Sequence, residues 1–186
     1  VEPEALLSLM ARLGSSQPVE LRLSLDEIAE GFDLSTFGSA PTKFDVNDLY
    51  PLTARKLHGL DYDAMKAEIA ALGVPDPLAE RFWQVARENI IVRADLKDWW
   101  DLFENGAAPL VDEEDRDFLD QAFDLLPDPP YDDDTWSSWT AAVKEATGRK
   151  GKKLFMPLRK AVTGRERGPE MADVMPLLQR KPTVKG

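Results

Sequence analysis

Residues 148–171 read G-R-K-G-K-K-L-F-M-P-L-R-K-A-V-T-G-R-E-R-G-P-E-M. Within them Leu154, Phe155, Leu158, Ala161 and Val162 recur at i, i+3 and i+4, which predicts a helix from about Gly151 to Thr163 with that stripe turned inward. Gly148 and Gly164 stand just past two helix ends, where glycine suits a left-handed cap. Pro157 has no N–H to give mid-helix, so a kink is expected there. Seven cations (Arg149, Lys150, Lys152, Lys153, Arg159, Lys160 and Arg165) fall within the seventeen residues 149–165 of a chain whose net charge is −11. Charge alone is equally compatible with a solvated helix face. The tight bend after the helix favours an anionic ligand, because backbone N–H groups at the next helix start would lie beside Arg159. Single-stranded RNA loops are read in this way, by hydrogen bonds to base edges and by stacking on flat side chains.

Outward from that hairpin the chain is helical throughout. Leu6, Leu7, Met10 and Leu13 are helically spaced from Pro3, and Ser24 followed by Glu27 forms a capping-box pattern for a short helix. Asp45 can cap a helix carrying Leu49, Leu52 and Leu57, and Asp61 or Asp63 another to Gly73. Pro75-Asp76-Pro77 opens a helix with Phe82, Val85 and Ala86 on one stripe. Further apolar faces run through Leu96–Phe103, Phe118–Leu126 and Trp136–Val143, with Asp134 as a cap, and a last helix begins at Pro169 and runs through Leu178. No period-2 alternation longer than four residues occurs, so strands are not expected. The fold class is all-α, about nine or ten short helices. Composition changes near residues 60 and 105–112 suggest segments 1–60, 61–108 and 109–186.

Composition narrows the function. The chain has no cysteine, which excludes disulfides and thiolate metal sites. No apolar run approaches the roughly 18 residues of a membrane span. A cytoplasmic monomer is expected, and the start at Val1 suggests a piece of a longer protein. Residues 112–134 carry 11 acids against the single cation Arg116, a pattern expected of a solvated helix face and turn. His58 has no nucleophilic or acidic partner at a telling spacing and is expected to be structural. Trp83, Trp99, Trp100, Trp136 and Trp139 fall on core stripes; Trp100 is expected to be partly exposed, since adjacent indoles cannot both face one core. No phosphate loop, metal-ligand spacing or catalytic triad is present, so no catalytic or metal residue is expected.

The string L-F-M-P-L-R-K-A-V-T-G-R-E-R-G-P closely resembles the last helical domain of bacterial glutamyl-tRNA synthetases, whose pattern is near G-x-K-x-x-x-L-x-x-P-L-R-x-A-L-T-G-x-x-x-x-P-x. Upstream, F-D-L-S at 32–35, S-A-P at 39–41 and F-D at 44–45 resemble that family's stem-contact segment. The resemblance therefore implies a helical cage of two anticodon-binding subdomains (61–108 and 109–186) preceded by the helical end of the stem-contact region (1–60). It implies anticodon recognition for an ATP- and magnesium-dependent glutamate–tRNA ligase whose catalytic half lies outside this chain, with tRNA as partner and no cofactor here. Glutamine isoacceptors are left open. By motif, Arg159 would read an anticodon base, with Gly168, Pro169 and Met171 beside it. Arg93, ahead of Leu96-Lys97-Asp98, would sense the third base, although it sits one residue closer than the family pattern and Val92 could take the position instead. Lys150, Lys152, Lys153, Lys160 and Arg165 would meet the phosphate backbone. The family's K-L-x-W-x-N run is replaced by Asp48-Leu49-Tyr50-Pro51-Leu52-Thr53, which puts any contact carried there in doubt. The alternative is a protein-interaction module whose basic hairpin docks an acidic partner.

Overall fold

The computed structural model describes residues 1–184 and contains ten α-helices and five 3-10 turns. Among the described residues strand pairing is confined to one isolated antiparallel bridge, Ser15 to Phe37. The chain forms two compact units, 1–65 with 90–96 and 66–89 with 97–186. The units are interleaved in sequence, where the composition shifts had suggested consecutive segments.

The first unit holds α1 (Pro3–Met10), α2 (Leu25–Glu30), α3 (Leu49–His58) and the start of α4 (Tyr62–Ala71). Its small core joins Ala5 and Leu9 of α1 to Leu49 and Leu52 of α3, with Leu21 packed alongside. Polar links reinforce the joint: the Glu2 N–H donates to Thr53 Oγ1 at 3.2 Å, and the Arg22 N–H to Ser8 Oγ at 2.8 Å. Ser24 caps α2 by accepting from the Glu27 N–H, while the Glu27 carboxylate reaches back to the Leu23 N–H at 2.8 Å. Asp45 caps a 3-10 turn, Val46–Asp48, that leads into α3 instead of capping the helix itself. His58 Nε2 lies 2.8 Å from the Ile90 carbonyl, the structural role expected of it. Most of the large hydrophobic side chains left exposed among the described residues also lie here, Leu25 and Leu34 above all.

The second unit holds the rest of α4, α5 (Asp76–Ala86), most of α6 (Asp95–Asn105), α7 (Arg116–Asp124), α8 (Thr135–Thr147), α9 (Lys152–Thr163) and α10 (Met171–Val174). Its core is aromatic. Phe82 meets Trp100 edge-on at 5.6 Å and Phe103 at 6.0 Å, and Phe123 meets Trp139 at 5.3 Å. The Trp139 indole N–H donates to the Ala122 carbonyl at 2.7 Å. Trp100 is only 4% exposed, against the expectation. Both adjacent indoles are buried because α6 is covered on two sides: Trp100 packs on Phe82 of α5, and Trp99 turns toward the 3-10 turn Arg87–Asn89 and the bend after α9. The final helix is shorter than expected. After Pro169 only Met171–Val174 is α-helical, followed by a 3-10 turn, Met175–Leu177.

Candidate nucleic-acid interface

Helix α8 ends at Gly148 and α9 begins at Lys152, so the basic stretch wraps a short loop and the first turns of α9. Its cations divide into two groups. Arg149 is turned inward: its guanidinium donates to Asp115 Oδ1 at 2.5 Å and sits 4.0 Å from the centre of the Phe118 ring. It also donates to the Lys153 carbonyl at 3.3 Å. That carbonyl is the one that Pro157, lacking an N–H, leaves without its helical donor. Lys160 is also internal, contrary to the outward position expected of a phosphate contact. It is 7% exposed, its ammonium is 2.5 Å from Asp112 Oδ2, and Glu166 lies 3.9 Å away. The hydrogen bond to Asp112 is the main reason its pKa lies above the ordinary lysine value. Lys150, Lys152 and Lys153 remain exposed, with no carboxylate within ion-pair reach among the described residues.

The bend after α9 is built from hydrogen bonds and two glycines. Thr163 Oγ1 donates to the Arg159 carbonyl at 2.7 Å and accepts from the Arg165 N–H at 3.1 Å. Gly164 takes φ +66° and donates to the Lys160 carbonyl, ending the helix. At Gly168 an added Cβ would stand 3.2 Å from the Trp99 ring and 3.6 Å from Arg159 Nη1, so the chain passes tightly over both. Trp99 is fixed from several sides: its N–H donates to the Asn89 carbonyl at 3.2 Å, and the Arg165 guanidinium lies 4.4 Å from the ring centre. Arg159 donates to the Pro169 carbonyl at 2.9 Å and has no carboxylate partner among the described residues. Its side chain is half-buried, so the remaining guanidinium N–H groups are available to a ligand.

Beside this bend opens a cleft of about 730 Å³, lined by α5 residues including Glu80, Arg81 and Gln84 and by Pro169, Glu170 and Asp173. Arg81 is paired with Asp133, so carboxylates dominate the lining. Such a cleft disfavours phosphate and suits groups that donate hydrogen bonds, such as the amino edges of bases. Pro169 lines it, whereas the Met171 side chain is 3% exposed and packs into the core.

Arg93 lies in the first unit and is already engaged. It makes a bidentate pair with Glu2, Nε to Oε1 at 2.7 Å and Nη2 to Oε2 at 3.0 Å, and its Nη1 lies 3.4 Å from Met65 Sδ. The bond from Arg93 is the leading cause holding the Glu2 carboxyl below its ordinary pKa, and Lys56 adds to it at 3.4 Å while burial opposes them. The Val92 N–H caps on Asp95 at 3.0 Å. Sequence reasoning placed Trp99 in the core without assigning it to the site, and it missed the Asn89–Trp99–Gly168 contact. Only close approach in space reveals that role. It also turned Phe155 inward, and that ring is 45% exposed.

Comparison with known proteins adds to this geometry. A family model described as "Anticodon binding domain" matches residues 77–185. The chain is 70% identical over 184 residues to glutamate–tRNA ligase 2 of Jannaschia sp. (strain CCS1), covering 99% of this chain and 41% of that protein. It is 68% identical to glutamate–tRNA ligase 2 of Dinoroseobacter shibae, covering 99% and 42%. The chain thus spans about two-fifths of the length of the curated relatives it matches. In fold it is similar to the crystal structure of glutamate-tRNA synthetase from Elizabethkingia anophelis, with TM-score 0.67, 22% identity, and coverage of 95% of this chain and 38% of that one.

Proposed function

Since this chain belongs to the anticodon binding domain family, we propose that it is the C-terminal, tRNA-recognising part of a glutamate–tRNA ligase. It would position the anticodon loop while the portion outside this chain performs the ATP-dependent glutamylation. The observation that carries this reading is the Arg159 guanidinium, held against the Pro169 carbonyl at 2.9 Å yet free of any carboxylate among the described residues. A planar cation with spare donors, fixed beside a cleft of suitable size, can satisfy the acceptor edge of an unpaired base. The carboxylates of the neighbouring cleft supply the complementary acceptors.

In this reading Gly168 and Pro169 shape the base site, and Met171 anchors the start of α10 in the core. Lys150, Lys152, Lys153 and Arg165 approach the phosphates. Lys160 and Arg93 act as structural ion pairs, and the Arg93–Glu2 pair leaves base sensing at that position without a free guanidinium edge. The described residues hold no group of three side chains fit for a metal. On this reading ATP and magnesium act in the portion outside this chain. The apolar residues exposed in the first unit support a larger protein that covers them. Among the described residues no helix is long and apolar enough to cross a membrane.

The test is binding of the anticodon stem-loop of glutamate tRNA, followed by anisotropy against a loop of scrambled anticodon. Arg159→Ala should lose about 1–3 kcal/mol on the cognate loop through one base-edge contact, and almost nothing on the scrambled one. Arg159→Lys should keep the charge but not the planar fork, and so lose discrimination. Equal affinity of the unaltered chain for both loops would defeat the proposal.

A further inference from the structure

Among the described residues of the second unit Phe155 is the one exposed aromatic side chain, at 45% where the helical stripe predicts burial. It is nevertheless held in place. Its ring packs on Trp136 with centroids 6.2 Å apart, and Trp136 in turn meets the buried Trp139 edge-on at 5.7 Å. A large apolar side chain that is both exposed and braced presents a fixed flat face to solvent, at a cost in exposed apolar surface.

Its neighbours on α9 decide what that face would meet. Lys152, Phe155 and Arg159 are spaced i, i+3 and i+7, so they lie in one row along the helix, each about 5–6 Å from the next at the level of Cβ. From Lys152 to Arg159 the row climbs seven residue steps, about 10 Å of helix. It begins with an exposed lysine, passes an exposed aromatic ring and ends at the half-buried guanidinium beside the bend. Lys150 and Lys153 flank its start, without carboxylate partners among the described residues. Two neighbouring acids are already taken by other cations of the hairpin, Asp115 by Arg149 and Asp112 by Lys160. An acidic or purely apolar partner would leave part of this row unmatched. A polyanion that also carries flat rings matches all of it.

We infer that Phe155, braced by Trp136, is a stacking platform for an unpaired RNA base adjacent to the one met by Arg159, with Lys152 and Lys153 taking the phosphate that follows. This rests on the reading of Arg159 as a base contact. It adds a second nucleotide to the footprint, one recognised by its face and therefore with little dependence on base identity. The platform secures the strand, and Arg159 with its cleft supplies the sequence preference.

The test uses this chain, the anticodon stem-loop of glutamate tRNA, and a set of the same loops with one base at a time removed from the sugar. Phe155→Ala should weaken binding of the intact loop about five- to a hundred-fold, the range for loss of one base–aromatic stack. Phe155→Tyr should bind as the unaltered chain does, and Phe155→Leu should resemble Phe155→Ala. One abasic loop, with the gap next to the base whose loss mimics Arg159→Ala, should weaken the unaltered chain equally and leave Phe155→Ala unaffected by the missing base. Because Phe155→Ala also removes the contact with Trp136, its denaturation midpoint should fall slightly, and binding is compared where every variant is folded. If Phe155→Ala binds normally while Arg159→Ala does not, the platform is overturned and the anticodon reading stands. If Phe155→Leu binds as tightly as Phe155→Tyr, the contact is apolar and not a stack, which also overturns it. If neither Arg159→Ala nor Phe155→Ala alters binding, the anticodon reading itself fails.

Discussion

Helices α8 and α9 end alike, on Gly148 at φ +70° and Gly164 at φ +66°, yet an alanine at the two positions should have very different consequences. Both substitutions force an L side chain into the left-handed region, at about 1–2 kcal/mol. At Gly148 nothing lies within 4 Å of the added Cβ, so that conformational cost is the whole effect. At Gly164 the Cβ would stand 2.6 Å from the Ala108 carbonyl oxygen, inside the distance that real Cβ atoms keep. Relief requires the backbone near Ala108 to retreat by several tenths of an ångström. That segment is tied to α9, because the Leu110 N–H donates to the Lys160 carbonyl at 3.0 Å. Straining or losing that bond adds about 1–3 kcal/mol. The expected destabilisation is therefore about 2–5 kcal/mol for Gly164→Ala and about 1–2 kcal/mol for Gly148→Ala. Urea unfolding under identical conditions would read both, with unchanged slope confirming that the midpoints report stability. Gly164→Ala should also loosen the bend holding Arg159 and Gly168, so RNA affinity should fall with it and not with Gly148→Ala. Equal midpoints for the two variants would refute the close approach of Gly164 to Ala108 and the reasoning built on it.

The buried lysine and its exposed neighbour should separate stability from RNA binding. Lys160→Ala should lower the denaturation midpoint and leave the salt dependence of RNA binding unchanged. Lys152→Ala should leave the midpoint unchanged and reduce the slope of log K against log salt by about 0.7, the single-strand value per phosphate contact. Acid should destabilise the first unit through Glu2, whose carboxyl is held below its ordinary value of 4.5, chiefly by the bond from Arg93. Stability from that group is fully present above pH 4.5 and is lost as the pH falls through its lower folded pKa. Glu2→Gln should cost about 1–2 kcal/mol at neutral pH, the partial exposure of Arg93 keeping it modest. It should also flatten the acid limb of a stability–pH curve; parallel limbs would dismiss the linkage.

Helix content was legible in the sequence because apolar spacing and cap residues are local. Ser24, Gly148 and Gly164 act where the pattern puts them. The positions that departed from expectation depend on partners distant in sequence. Trp100 is buried because α5 brings Phe82 to it, and Phe155 stays exposed although it lies against Trp136 of α8, the rings tilted by 38° with centroids 6.2 Å apart. The charge pattern shows the same limit more sharply. A count of cations from 149 to 165 treats them as equivalent, and a count of acids from 112 to 134 treats those as a solvated face. In space the second set acts on the first. Asp115 takes Arg149 and Asp112 takes Lys160, while Asp133 takes Arg81. What remains outward is a smaller group, Lys150, Lys152 and Lys153, at one end of α9, with Arg159 and Arg165 at the bend. The acidic stretch thus determines which part of the basic hairpin can meet an anion. It confines that contact to the lysines at the start of α9 and the two arginines at the bend, and charge reversal at Asp112 or Asp115 would act on the hairpin from within.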